Sequence, residues 1–123
     1  MRMRGFTLIE LLVVLALIST LLMLVAPRFT RSVDHSKEVV LRENLYLIRK
    51  AIDQYFADTG GYPNDLQALV EKKYLRRPPL DPLTGRADTW IIVPPADGQP
   101  GGVFDVRSGA PGQADDGAPY ASW

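Results

Sequence analysis

Two stretches of this chain hold residues whose types and spacing could do chemistry. The first is Gly5-Phe6-Thr7-Leu8-Ile9-Glu10, preceded by Met1-Arg2-Met3-Arg4 and followed by an almost wholly apolar run to Ala26. An ordinary secretory signal is basic, then apolar, then cut after small residues, so its apolar segment is discarded. Here the one small residue suited to a cut, Gly5, stands before the apolar run. Cleavage after Gly5 would keep that run on the mature chain and create an α-amino group on Phe6, close in sequence to Glu10. A carboxylate in such a segment costs about 2.5–3.5 kcal/mol at mid-helix, less near an interface, and generally marks a partner. The new amine is the obvious partner. Supplied by an adjacent copy, it would set the axial register of two helices. The bland alternative is a tolerated interfacial Glu on a lone anchor.

The second stretch is Ser108 to Gly117, where the adjacent carboxylates Asp115 and Asp116 and the hydroxyl of Ser108 share a glycine-rich backbone. Hard oxygen ligands on a flexible loop are what calcium takes, six to eight at a time. An ordinary solvated acidic turn has the same composition. Elsewhere the sequence holds little chemistry. There are no cysteines, which removes disulfides, thiol nucleophiles and thiolate metal sites. His35, the sole histidine, falls on a polar stretch and reads as solvated. Asp105 alternates with apolar residues in a strand-like piece and reads as structural. The glycine clusters do not follow a strand and open a helix, so no phosphate cradle is present. With a formal net charge of 0 and no basic face, nucleic acid is not an expected partner. No constellation supports an enzyme.

The elements that position these residues follow from hydrophobic pattern. From Phe6 to Ala26 there are roughly 21 residues, about 30 Å of helix, one hydrocarbon thickness. Arg2 and Arg4 precede it, which places the leader on the cytoplasmic side and the remainder outside. Ser19 and Thr20 interrupt the run but can return their hydroxyls to preceding carbonyls. Pro27 removes a backbone donor and predicts a weak point or kink. Beyond it, Leu41, Leu45, Ile48, Ile52 and Tyr55 recur at helical spacing as a core-facing stripe. This helix should stop near Ala57 or Asp58, before Gly60-Gly61. Asn64 is expected to cap a short helix over Asp65 to Tyr74, with Leu66, Leu69 and Val70 inward. Asp81-Pro82-Leu83-Thr84-Gly85 reads as a turn. Thr89–Val93 and Gly102–Arg107 read as strands joined by a Pro/Gly-rich link. The expected fold is therefore α+β: a long N-terminal helical spine, half membrane and half amphipathic, on a small antiparallel sheet with a C-terminal loop. A head this small sits near the lower limit for a self-sufficient core and should lean on the helix entering it.

The leader and apolar run resemble the signal of the type IV pilin and type II secretion pseudopilin superfamily: Arg4-Gly5, then Phe6 and Thr7-Leu8-Ile9-Glu10-Leu11-Leu12-Val13-Val14. The head order, Thr59-Gly60-Gly61-Tyr62-Pro63, a short helix, Asp81-Pro82, a strand and a C-terminal strand-loop, is most similar to the major pseudopilins of type II secretion. The lack of cysteines agrees, because type IV pilin heads are commonly closed by a disulfide. The resemblance implies four segments: a prepilin leader at 1–5, a transmembrane and filament-core helix at 6–27, the amphipathic half of the spine at 28–58, and a periplasmic head at 59–123. It implies cleavage after Gly5 and N-methylation of Phe6 by a prepilin peptidase and methyltransferase. Phe6 and Glu10 would then serve assembly, with a helix able to melt near Pro27. It places the subunit in the inner membrane as a single-pass protein. From there it would join a helical homopolymer with minor pseudopilins and an inner-membrane assembly platform, and drive export of folded proteins. It also implies calcium in the C-terminal loop on Asp115, Asp116 and Ser108, although Pro111 stands where an aspartate ligand is often found. Tyr120 and Trp123 could instead pin the tail by packing. Two other roles fit parts of the pattern: a type IV pilus subunit, and a single-pass anchor presenting a binding domain, which needs neither cleavage nor Glu10.

Overall fold

The computed structural model describes residues 3–123, without the side chains of Phe29 and Thr30. Met1 and Arg2 of the expected leader lie outside the described residues. The chain forms a first compact unit ending at Ser36 and a second running Lys37–Trp123. One helix, α1 (Leu8–Thr59), contributes to both. In the first unit every described side chain is exposed, including the apolar series from Leu8 to Val25. Such a surface suits lipid, because the helix already pairs its own backbone groups. Ser19 and Thr20 donate their hydroxyls to the carbonyls of Leu15 and Ala16 at 2.8 Å, as expected. α1 continues through Pro27, so the expected weak point is not a break.

In the second unit the stripe on α1 is the core. Leu41, Leu45, Ile48 and Ile52 are buried with Leu69, Trp90, Val103 and Val106, and Tyr55 packs half-buried beside them. The helix ends at Thr59, where Gly60 takes φ 77°. The short helix α2 spans Leu66–Glu71 and is capped by Asp65, not Asn64. The Asp65 carboxylate accepts the amide of Ala68 at 2.8 Å, a bond Asn64 is one residue too early to make. α2 also stops earlier than Tyr74, because Lys73 adopts a left-handed φ of 67°. There the amide of Tyr74 turns back to the carbonyl of Leu69 at 2.9 Å. Leu69 is its buried residue, with Leu66 and Val70 half-buried.

The sheet has two antiparallel strands, β1 (Ile91–Val93) and β2 (Asp105–Arg107), in register Ile91↔Arg107, Ile92↔Val106 and Val93↔Asp105. Both are shorter than their apolar runs. Pro94 and Pro95 have no N–H to extend the ladder. The amides of Gly102 and Val103 instead bond the carbonyl of Pro63, at 2.9 and 3.0 Å. That approach requires Gly101 to be a glycine, with φ 111° and the Tyr62 carbonyl 2.2 Å from where a Cβ would stand. A two-stranded sheet is marginal alone, so its stability comes from packing on α1.

Candidate functional site

Thr7 precedes α1, and two reciprocal bonds close its N-terminus. The amide of Glu10 donates to Thr7 Oγ1 at 3.2 Å, and the amide of Thr7 donates to Glu10 Oε2 at 3.3 Å. This is a capping box, in which two otherwise unpaired amides are satisfied by a Thr-x-x-Glu spacing. Glu10 therefore has a partner within its own chain, and Thr7 is a site residue the sequence reading overlooked. The spacing that signals it is plain in Thr7-Leu8-Ile9-Glu10. Gly5 and Phe6 lie just before the cap and are exposed. Among the described residues Glu10 Oε1 has no hydrogen-bond partner, so one carboxylate oxygen remains open to an outside donor.

The residues of the C-terminal loop separate into two groups. Ser108 is fully buried; its hydroxyl donates to Asp81 Oδ2 at 2.6 Å and accepts from the amide of Ala110 at 3.2 Å. Asp81, also fully buried, accepts the amide of Leu83 at 2.9 Å on its other oxygen. Ser108 thus locks the expected Asp81–Gly85 turn to β2. Asp115 and Asp116 occupy the two central positions of a tight turn, in which the amide of Gly117 donates to the carbonyl of Ala114 at 2.9 Å. Both are exposed, and Asp116 Oδ1 accepts the amide of Ala118 at 3.0 Å. Ser108 is committed to Asp81 and so stands apart from the two acids. A coarser arrangement is present: a carboxylate oxygen of Asp115 lies within 4.8 Å of one on Glu38, a potential cation-binding cluster that does not select calcium.

The tail beyond this turn is held by side chains of α1. Tyr120 donates its hydroxyl to buried Glu38 Oε1 at 2.8 Å. Arg49 donates to Asp105 Oδ1 at 2.8 Å, to the carbonyl of Val106 at 3.1 Å and to the backbone oxygen of Trp123. The Arg42 guanidinium lies 4.5 Å from the Trp123 ring centroid, and Tyr120 meets Trp123 edge-on at 5.3 Å. Tyr120 and Trp123 therefore pin the tail. Of their partners, Arg42 and Arg49 read in the sequence as a wetted helix side, because nothing local announces a long-range contact. Of the outlying charges, Arg86 and Asp88 form an exposed bidentate pair; the guanidinium holds the Asp88 carboxyl below its usual range.

An apolar helix of membrane length that opens with a capped carboxylate, followed by a small α+β head, defines a single-pass subunit of the pilin type. The comparisons agree at both levels. Residues 1–26 match the prokaryotic N-terminal methylation motif. The chain is 31% identical to a type II secretion system core protein G of Klebsiella michiganensis, over 92% of this chain and 89% of that one. It is 32% identical to the Klebsiella pneumoniae protein of the same name over 80% of each, and 29% identical to that of Pseudomonas aeruginosa over 97% and 94%. The chain belongs to the type II secretion core protein G family, the major pseudopilins. No solved structure matches it.

Proposed function

We propose that this chain is the structural subunit of a type II secretion pseudopilus. It waits in the inner membrane with its head in the periplasm and polymerises to drive folded proteins across the outer membrane. It is a substrate of a peptidase, not an enzyme. In this reading residues 1–5 are the leader, cut after Gly5, and Phe6 becomes the methylated N-terminus. Residues 6–27 form the filament core, 28–58 the outer spine and 59–123 the head. Minor pseudopilins, an assembly platform and exported proteins are its partners.

The observation that carries the proposal is the exposed apolar run Leu8–Val25 with its single carboxylate, Glu10. In the lone subunit Glu10 is steadied by Thr7 and keeps Oε1 open. On assembly that oxygen receives the Phe6 amine of the adjoining copy, an ion pair formed where water is scarce and each charge would otherwise be costly. The test replaces Glu10 with Val in cells lacking a wild-type copy. Membrane insertion should persist and sheared polymer should disappear. Undiminished polymer from Glu10→Val would remove the pairing. Intact-mass measurement of the assembled subunit should begin at a methylated Phe6, and Gly5→Ala should leave the leader attached.

A further inference from the structure

The second unit carries a basic groove on one side of α1 and an acidic turn on the other. On one side, α1 together with residues 74–85 bounds a groove of about 950 Å³. Its floor includes Val40, Leu47 and Leu80, exposed at 47%, 44% and 54%. Lys50, Arg76 and Arg77 line it as cations. Arg76 and Arg77 close the run Lys72-Lys73-Tyr74-Leu75-Arg76-Arg77, four cations in six residues. On the other side, Glu38, Arg42 and Arg49 face the tail. Val40 follows Glu38 by two residues, about 200° around the helix axis, so groove and tail lie on nearly opposite faces.

The tail side bears the Ala114–Gly117 turn, with Asp115 and Asp116 at its tip and the carboxylate of Glu38 within 4.8 Å of Asp115. Among the described residues the ion pairs are Arg49–Asp105 and Arg86–Asp88; Arg76, Arg77, Asp115 and Asp116 take part in neither. The bonds of Tyr120 and Arg49 tie the tail to α1 beside this turn, in which Asp115 and Asp116 are both exposed and Asp116 Oδ1 accepts the amide of Ala118.

We propose that the groove beside Arg76 and Arg77 receives the Asp115–Asp116 turn of a second copy. Two different patches on opposed faces make a heterologous contact, which repeats without closing on itself as a two-fold dimer does. Carboxylates meeting two unpaired guanidinium groups over an apolar floor give that contact its register. This deepens the filament reading and rests on it: the first unit supplies the core of the polymer, and the groove supplies the contact between heads.

The chain lacks cysteine, so introduced thiols report one contact without background. The full-length chain is expressed with its assembly partners, and cells carrying Arg77→Cys and Asp116→Cys on separate copies are oxidised. Cross-linked dimer should form in the polymer, and the same pair in a Glu10→Val background should give none. Arg76→Glu with Arg77→Glu should lower polymer yield about tenfold, as should Asp115→Arg with Asp116→Arg, and all four together should restore it. Restoration excludes misfolding as the cause of either loss. The proposal is overturned if wild-type polymer forms while the cysteines stay unlinked and the reversals have no effect; the filament reading then stands. It is equally overturned if Arg77→Cys links to a different protein, or if added calcium raises the head's melting temperature and abolishes cross-linking, which would make the turn a cation site. Absence of polymer from the wild-type chain under the same conditions would overturn the filament reading itself.

Discussion

The two units of this chain solve the same problem, a large apolar surface, in contrary ways. In the second, apolar side chains from α1, α2 and the strands bury one another around Ile48 and Val106, and the polar atoms they enclose find partners: Asp81 with Ser108, Glu38 with Tyr120. In the first, none of the described side chains is buried within the chain. Its helix closes its own backbone and caps its own N-terminus, but leaves its side chains for a different solvent or for other copies. The contrast teaches that folding and assembly are separable here. The head is stable by contacts made once, within the subunit; the span is completed by contacts made only between subunits or with lipid.

That separation can be broken in order of effect. The largest change is expected from Glu10→Val, which should abolish polymer while leaving the head's melting curve unchanged. Trp90 and Trp123 both lie in the head, so tryptophan fluorescence of the full chain in detergent reads that curve directly. Ile48→Ala should do the reverse. Removing a fully buried side chain at the centre of the core should cost the head about 2–5 kcal/mol, with membrane insertion unaltered. Tyr120→Phe probes the tail more finely. It leaves buried Glu38 without its hydroxyl donor and should cost about 1–3 kcal/mol in the same measurement. An unchanged curve would mean that the tail is held by packing of Trp123 alone.

The smallest effect is a pH dependence. The Tyr74 hydroxyl donates to Asp58 Oδ2 at 2.7 Å, and this bond holds the phenol above its ordinary 10.0. A raised value means that the neutral phenol is favoured in the fold. Its contribution is therefore complete below pH 10 and is lost as pH rises through the folded value. Tyr74→Phe should flatten the alkaline limb of the stability profile. Because Asp58 and Tyr74 both lie in the second unit, outside the apolar span, polymer yield at neutral pH should not respond.

Much of this was legible in the order of residues. Leu41, Leu45, Ile48 and Ile52 announced their buried face because helical spacing is a local property, and Gly60 announced the end of the helix for the same reason. Small errors arose where two local signals competed. Asn64 and Asp65 are both good caps, and the fold uses the second, which accepts the amide of Ala68. The strands read too long because apolar runs do not reveal which amides are drawn off to Pro63. The acids of the C-terminal loop read as one group, yet Ser108 points to Asp81, which precedes it by 27 positions. The Thr7–Glu10 cap is written in a Thr-x-x-Glu spacing that lies wholly within one turn of chain.

What the residues by themselves determined is everything that depends on near neighbours along the chain: a leader, an apolar span of membrane length, one carboxylate at its head, a core-facing stripe and the turns that break it. The tertiary structure alone decided which distant groups meet. It gave Glu38 to Tyr120, Arg49 to both Asp105 and Trp123, and Ser108 to Asp81, and it set the acid turn and the basic groove on opposite sides of one helix. The reason is physical. Helical periodicity and capping act over a few residues and leave their mark in spacing, whereas a buried polar group takes whichever partner the closing core brings within reach.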